Sequence, residues 1–204
     1  MATRITGTVS GEPIIEYEVG GVFVPYLKFP DGLQNWATVT AVTGTPTEHS
    51  YTDGDGVSWV AYEWSSNGSV TVTDGLADIL IVSAGSVWAF PNNGSGGQML
   101  DGLHEFSAGS HTVTVGATGT DGQSSHLGPY FTAGTHAPYS GFGAGQGWVT
   151  GGADRTIGKA SSITGTSVTY SPGRNGSSSP TGVPGGMGTA GRVILRVPST
   201  YAQA

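Results

Sequence analysis

The chain has 204 residues, enough for one large domain or two small ones, and a formal net charge of −7. Seven Lys and Arg, nowhere clustered, leave no counter to a phosphate backbone, which excludes nucleic acid as a partner and disfavours anionic membrane surfaces. Charged residues make up 10% of the chain against about 25% in an average protein, while 36 glycines without a Gly-X-Y period exclude both a typical charge-rich disordered chain and collagen.

Met1 to Ser10 lacks the apolar core of a signal peptide, so the expectation is a protein made in the cytoplasm without one. Residues 1–50 carry several prolines and read as irregular strands, a small N-terminal β segment. Val57 to Trp64, Ser69 to Thr73 and Thr112 to Val115 alternate apolar and polar residues, the pattern of half-buried strands. Asn67-Gly68 lies between the first two of these runs and predicts a tight type I′ hairpin joining them. Ile79 to Val82 is continuously apolar: too short to span a bilayer, it predicts a strand buried on both faces. Asp101 to Phe106 is the only stretch compatible with a helix and is too short to count.

Residues 116–191 are rich in Gly, Ser, Thr and Pro, yet contain Tyr130, Phe131, Tyr139, Phe142, Trp148 and Tyr170. Rings are depleted in disordered segments, so this region reads as ordered loops pinned by aromatics. Arg192 to Pro198 is the last strand, charged at intervals and ended by a residue that cannot donate to a ladder. The predicted fold is all-β: a β-sandwich-like glycine-rich domain over 51–204 with long Gly/Ser/Thr loops, preceded by a small N-terminal β segment over 1–50.

Chemistry-bearing motifs are sparse. Asp53-Gly54-Asp55-Gly56 offers two carboxylates to a hard cation, but the further oxygen ligands of a calcium loop are missing, so a tight Asp-Gly turn is the expectation. His49, His104, His111, His126 and His136 show no metal-binding spacing, and there is no cysteine to supply a thiolate or a disulfide. Gly141 to Gly147 resembles a nucleotide loop only in its glycines, since no Lys-Ser/Thr follows. Asn67, Asn93 and Asn175 each open a glycosylation sequon, but Asn-Gly is also a turn signal. No G-x-S-x-G elbow and no recognisable acid/base pair are present. The chain is therefore not expected to be an enzyme, nor to carry a metal or cofactor. Phe90, Tyr130, Phe131, Tyr139, Phe142 and Trp148, set among glycines, are the candidates for stacking on a glycan or anchoring a partner, although they also suit the core of a domain short of aliphatics.

The order of segments between residues 51 and 198 resembles the glycine-rich domain of minor tail proteins from phages infecting actinobacteria. Asp53-Gly54-Asp55-Gly56-Val57-Ser58-Trp59 opens the match, and a polar hairpin follows, ending in Gly68 to Val72. Ala77 to Gly85 is similar to an apolar strand running into glycine, and His111 to Gly116 to a following Thr-Val strand. Gly185 to Pro198 resembles a glycine run before a final apolar strand. Where the family carries long polyglycine, Ser86-Val87-Trp88-Ala89-Phe90-Pro91 intervenes, so ordinary sandwich packing is expected here. The resemblance implies a virion protein at the tail tip or fibre that contributes to host attachment. Its partners would be further copies of itself, with a trimer expected, other tail proteins, and host cell-wall glycan. A glycan-binding adhesin is the alternative; a capsid decoration protein and a tail-associated glycan hydrolase are weaker ones.

Overall fold

The structure is a computed structural model that describes residues 3–9, 12–19, 22–26, 28–29, 32–33, 36–54, 56–85, 97–119, 123–132, 159–170 and 189–199. Among these residues there is no helix, and the regular structure is antiparallel β, as the alternating and apolar runs require. Strands β1 (Thr3–Val9), β2 (Glu12–Val19) and β3 (Val22–Tyr26) form one three-stranded sheet; β4 (Lys28–Phe29) and β5 (Gly32–Leu33) form a short pair.

The strands that follow are β6 (Val39–Thr43), β7 (Thr47–Thr52), β8 (Ser58–Trp64), β9 (Gly68–Val72), β10 (Gly75–Val82) and β11 (Met99–Phe106). After them come β12 (Gly109–Thr114), β13 (Ser125–Leu127), β14 (Tyr130–Thr132), β15 (Lys159–Ser161), β16 (Val168–Tyr170) and β17 (Arg192–Pro198). Sheet I has the order β11-β10-β17-β8-β7 and sheet II the order β14-β13-β12-β9-β6. β6 and β7, drawn from residues 39–52, are thus edge strands of the two large sheets. Asp101 to Phe106 lies within β11, where it pairs with β10 in register from Gly75↔Phe106 to Val82↔Met99.

The two sheets share one core. Trp64, Ile79, Ile81, Val193 and Leu195 of sheet I meet Val70, Val113 and Leu127 of sheet II, all of them 0% exposed. The opposite face of sheet I is also covered. There Ala61, Leu80, Val82, Met99 and Ile194 pack under Ile163 and Tyr170, with Val168 alongside, from the β15–β16 hairpin. This double cover explains the unbroken apolar run of Ile79 to Val82: alternate side chains enter different clusters, and none reaches water. A third cluster joins Trp36, Val57 and Trp59, with the two indoles edge to face at 5.3 Å.

The Tyr170 ring is buried in the second cluster, and that burial pushes its hydroxyl up to about 12, the Glu63 carboxylate adding to the rise. An unfolded tyrosine ionises near ~10. Between these values the folded chain keeps a proton that the unfolded chain has lost, so this contribution to stability is complete below about pH 10 and is lost as pH rises towards about 12. Tyr170→Phe is expected to weaken less steeply than the parent chain in urea melts run across that range.

The hairpin predicted at Asn67-Gly68 does not form. Both edges of β8 are taken, by β7 and β17, and both edges of β9 by β6 and β12. Asn67-Gly68 is instead a corner that passes the chain from sheet I to sheet II. It stacks on a second corner at Gly44-Thr45, where φ is +79° for Gly44 and a Cβ would stand 2.3 Å from the Asn67 carbonyl oxygen. Trp64 Nε1 donates to the Thr43 carbonyl at 2.8 Å and Asn67 Oδ1 accepts from the Val115 amide at 2.9 Å, so side chains tie the two corners down. A corner and a hairpin need the same permissive residues, which is why the dipeptide alone did not separate them.

The Asp-Gly turn forms as expected. Gly56, at φ +82°, donates to the Asp53 carbonyl at 3.1 Å. One Asp53 carboxylate oxygen accepts from the Val57 amide at 2.9 Å and the other from Trp59 Nε1 at 2.6 Å. Both oxygens are therefore engaged by N–H donors. Asp53→Ala would leave the buried Trp59 indole N–H without this acceptor. It is expected to cost about 2–4 kcal/mol in denaturant unfolding, the range for two charge-assisted bonds.

Glycine acts differently where chain segments cross beside the sandwich. Ala84 N donates to Gln123 O, Gly85 N to Thr189 O and Gly191 N to Gly116 O, at 3.0, 3.1 and 2.9 Å. These bonds link four segments outside the strands. The approach is close enough that a Cβ on Gly97, Gly116 or Gly191 would lie 1.9, 2.1 or 2.3 Å from a backbone oxygen.

Candidate functional site

Between β10, β11 and the turn of the β15–β16 hairpin lies a cavity of about 230 Å³. The strands place its polar groups by register. Asp78 of β10 is paired with Arg196 of β17 and with Leu103 of β11, while Asp101 of β11 is paired with Leu80. Asp78, Asp101 and Arg196 therefore lie on one face of sheet I, the face that carries the hairpin. Ser161 and Ser162 line the cavity from the hairpin side, and Ile163 provides its apolar surface.

Arg196 organises this face. Its Nη2 lies 2.5 Å from Asp78 Oδ2, its Nη1 donates to the Tyr51 hydroxyl at 2.7 Å, and the guanidinium carbon stands 4.3 Å from the centre of the Trp59 ring. Tyr51 in turn donates to the Ile163 carbonyl at 3.0 Å, which holds the hairpin turn in place. Gly165 (φ +87°) sits against the Tyr51 ring so closely that a Cβ there would come within 2.6 Å of it. Lys159 Nζ lies 2.5 Å from Asp101 Oδ2. Farther along the same face, Glu63 accepts from Arg192 Nε at 3.1 Å, and its other oxygen lies 2.9 Å from His49 Nε2.

Burial raises the Asp78 carboxyl above the usual aspartate value, although the Arg196 guanidinium pulls it the other way and the Asp101 charge adds to the rise. His104, across β11, is lowered by burial against the pull of both carboxylates. The arrangement can hold small polar matter through acceptors and donors at once. Among the described residues no group of three or more His, Asp or Glu is placed to hold a metal ion.

Of the aromatics singled out from the sequence, Tyr130 and Phe131 are described; Phe90, Tyr139, Phe142 and Trp148 lie outside the described residues. The two neighbours have opposite fates, as alternation along β14 dictates. Tyr130 turns to the core: its ring centre is 5.2 Å from Phe106 and 4.5 Å from His104, and its hydroxyl donates to the Glu105 carbonyl. Phe131 turns outward, is 60% exposed, and stacks on His126 at 5.6 Å with the planes 21° apart. The sequence did not single out Asp78, Asp101 or Arg196. Their only mark was a charged residue inside an apolar strand.

These features define an antiparallel β-sandwich with a small polar cavity on the outer face of sheet I and an exposed aromatic platform on sheet II. No family model matches the chain, and no curated protein or solved structure matches it either.

Proposed function

We propose that this chain is a structural component of a phage virion, a minor tail protein at the tail tip or fibre that takes part in host attachment. The observation that carries the reading is where the resembling segments fall. They fall in β9, β10, β12 and β17 and reach the start of β8, all of them inner strands of the two large sheets. The likeness therefore lies in the framework of a sandwich and not merely in glycine content. The sheet edges support self-association. β6 is an edge strand without a charged residue, and four of its five positions are exposed, which leaves a ladder that a second copy can extend. Closed cyclic symmetry is the usual outcome for such assemblies, and a trimer is the proposed one.

Electron microscopy of particles carrying a labelled copy of the protein tests the reading. Label at the tail is the expected result; label spread over the head would replace it with capsid decoration. Light scattering on the isolated chain should give a multimer, and a stable, folded monomer counts against the assembly.

Phe131 favours a second, compatible reading as a glycan-binding adhesin. An exposed ring backed by His126 presents a flat face of the kind that sugar rings stack on. Phe131→Ala and Trp148→Ala should then weaken attachment to host cell walls while leaving the unfolding midpoint in place. Unchanged attachment by both variants would remove it. Release of reducing sugar from purified cell wall would instead bring forward the hydrolase.

A further inference from the structure

We propose that the cavity between β10, β11 and the β15–β16 turn binds one neutral, hydroxyl-rich ring: a single monosaccharide unit, free or at the end of a glycan. Size sets the first limit. At about 230 Å³ the cavity is smaller than the roughly 300–1,000 Å³ of sites for drug-sized molecules, so it suits one small ring and not a stretch of chain.

Charge sets the second. Asp78 and Asp101 carry two negative charges, and Arg196 with Lys159 brings two positive ones. The sum is zero, so neither a phosphate nor an ammonium gains a net attraction. The donor and acceptor pattern then selects within neutral ligands. Carboxylates only accept, a guanidinium only donates, and the Ser161 and Ser162 hydroxyls do both. A sugar hydroxyl meets all three, donating to Asp78 or Asp101 and accepting from Arg196. Bonds to charged partners are the stronger kind, and neighbouring hydroxyls on one ring can engage two at once. Ile163 faces the same space and can take the C–H surface of the ring.

The walls are fixed before any ligand arrives. The Asp78–Arg196–Tyr51–Ile163 chain of contacts runs from the strand at the base of the cavity to the turn beside it. A preformed site avoids the ordering cost that weakens small ligands. The inference stands apart from the virion reading: a tail protein can lack this site, and the site can bind sugar wherever the chain works. It is also distinct from the Phe131 platform, which belongs to sheet II.

Titration calorimetry on the full chain tests it, using free glucose, galactose, mannose, rhamnose, arabinose and N-acetylglucosamine, with inorganic phosphate and glucosamine as charged comparators. At least one neutral sugar should bind with a Kd of roughly 1 mM, the affinity expected for about a dozen non-hydrogen atoms. Phosphate and glucosamine should bind more weakly. Asp101→Asn should weaken binding at least about tenfold, and Ser162→Trp, which fills the space, should abolish it. Phe131→Ala should leave it unchanged. Asp101 sits at a partly exposed position with 35% of its side chain accessible, so its variant keeps the fold and decides the matter if Ser162→Trp does not fold. The proposal is overturned by no binding of any neutral sugar at concentrations on the order of 50 mM, by preference for phosphate or glucosamine, by binding that survives Asp101→Asn, or by binding lost in Phe131→Ala.

Discussion

Gly191→Ala should destabilise the sandwich by about 3–5 kcal/mol, as much as truncating a large core side chain. The methyl group would stand 2.3 Å from the Val82 carbonyl oxygen and 2.4 Å from Ser125 Oγ. Neither can yield cheaply. Ser125 Oγ donates to Val82 O at 2.7 Å and accepts from Gly116 N at 2.9 Å, both in a buried setting. Val82 is held in register between Met99 and Arg192. Overpacking alone costs about 1–3 kcal/mol, and each bond broken to relieve it adds about 1 kcal/mol. Gly54→Ala is the matched comparison. A Cβ there meets nothing within 4 Å, so the change should fall within about 0.5 kcal/mol of the parent. Urea unfolding of the two variants reads the contrast directly. Equal midpoints would mean that the crossing at Gly191 is looser than its contacts imply.

Trp64→Ala should cost about 3–5 kcal/mol. The indole is 0% exposed and lies in the core shared by both sheets. It also reaches the corner, where Nε1 donates to the Thr43 carbonyl. Trp64→Phe separates the two roles, because it keeps most of the apolar volume and loses the bond. It should cost about 1–2 kcal/mol, one unmade hydrogen bond plus a small void. Thermal and urea melts of the pair check this. A Trp64→Phe variant as damaged as Trp64→Ala would assign the tryptophan's effect to the corner rather than to packing.

The strands with the strongest local pattern were readable from the residues alone. Trp59 and Ala61 are buried where alternation placed them, Trp64 is buried on the opposite face of β8, and Ile79 to Val82 is covered on both faces. β13 to β16 were not individually readable, since three residues are too few to display a period. The joining of β8 to β9 was misread for a different reason. Asn67-Gly68 states that the chain can turn sharply, but whether the turn closes a hairpin depends on which strand edges are already occupied. Here β17, more than a hundred residues later, occupies the edge in question. The cavity is non-local in the same way. Asp78, Asp101, Ser162 and Arg196 come from four separate segments, and only the pairing register brings them together. Among the aromatics, composition could not say that Tyr130 would face inward and Phe131 outward, because that follows from the orientation of β14 on sheet II.

The place of β17 carries a consequence for how the protein is made. It lies between β10 and β8 at the middle of sheet I, and pairs with both. Until residues 192–198 emerge from the ribosome, sheet I exists only as two halves with their inner edges bare. At about 5–20 residues per second, the roughly 110 residues between β10 and β17 take about 5–20 s to synthesise. Throughout that interval Leu80 and Ile81 border an open strand edge, a surface that another nascent chain could capture. The long span between the two strands thus sets a waiting time, and the yield of folded protein should rise when translation of that span is fast or a chaperone shields the edge.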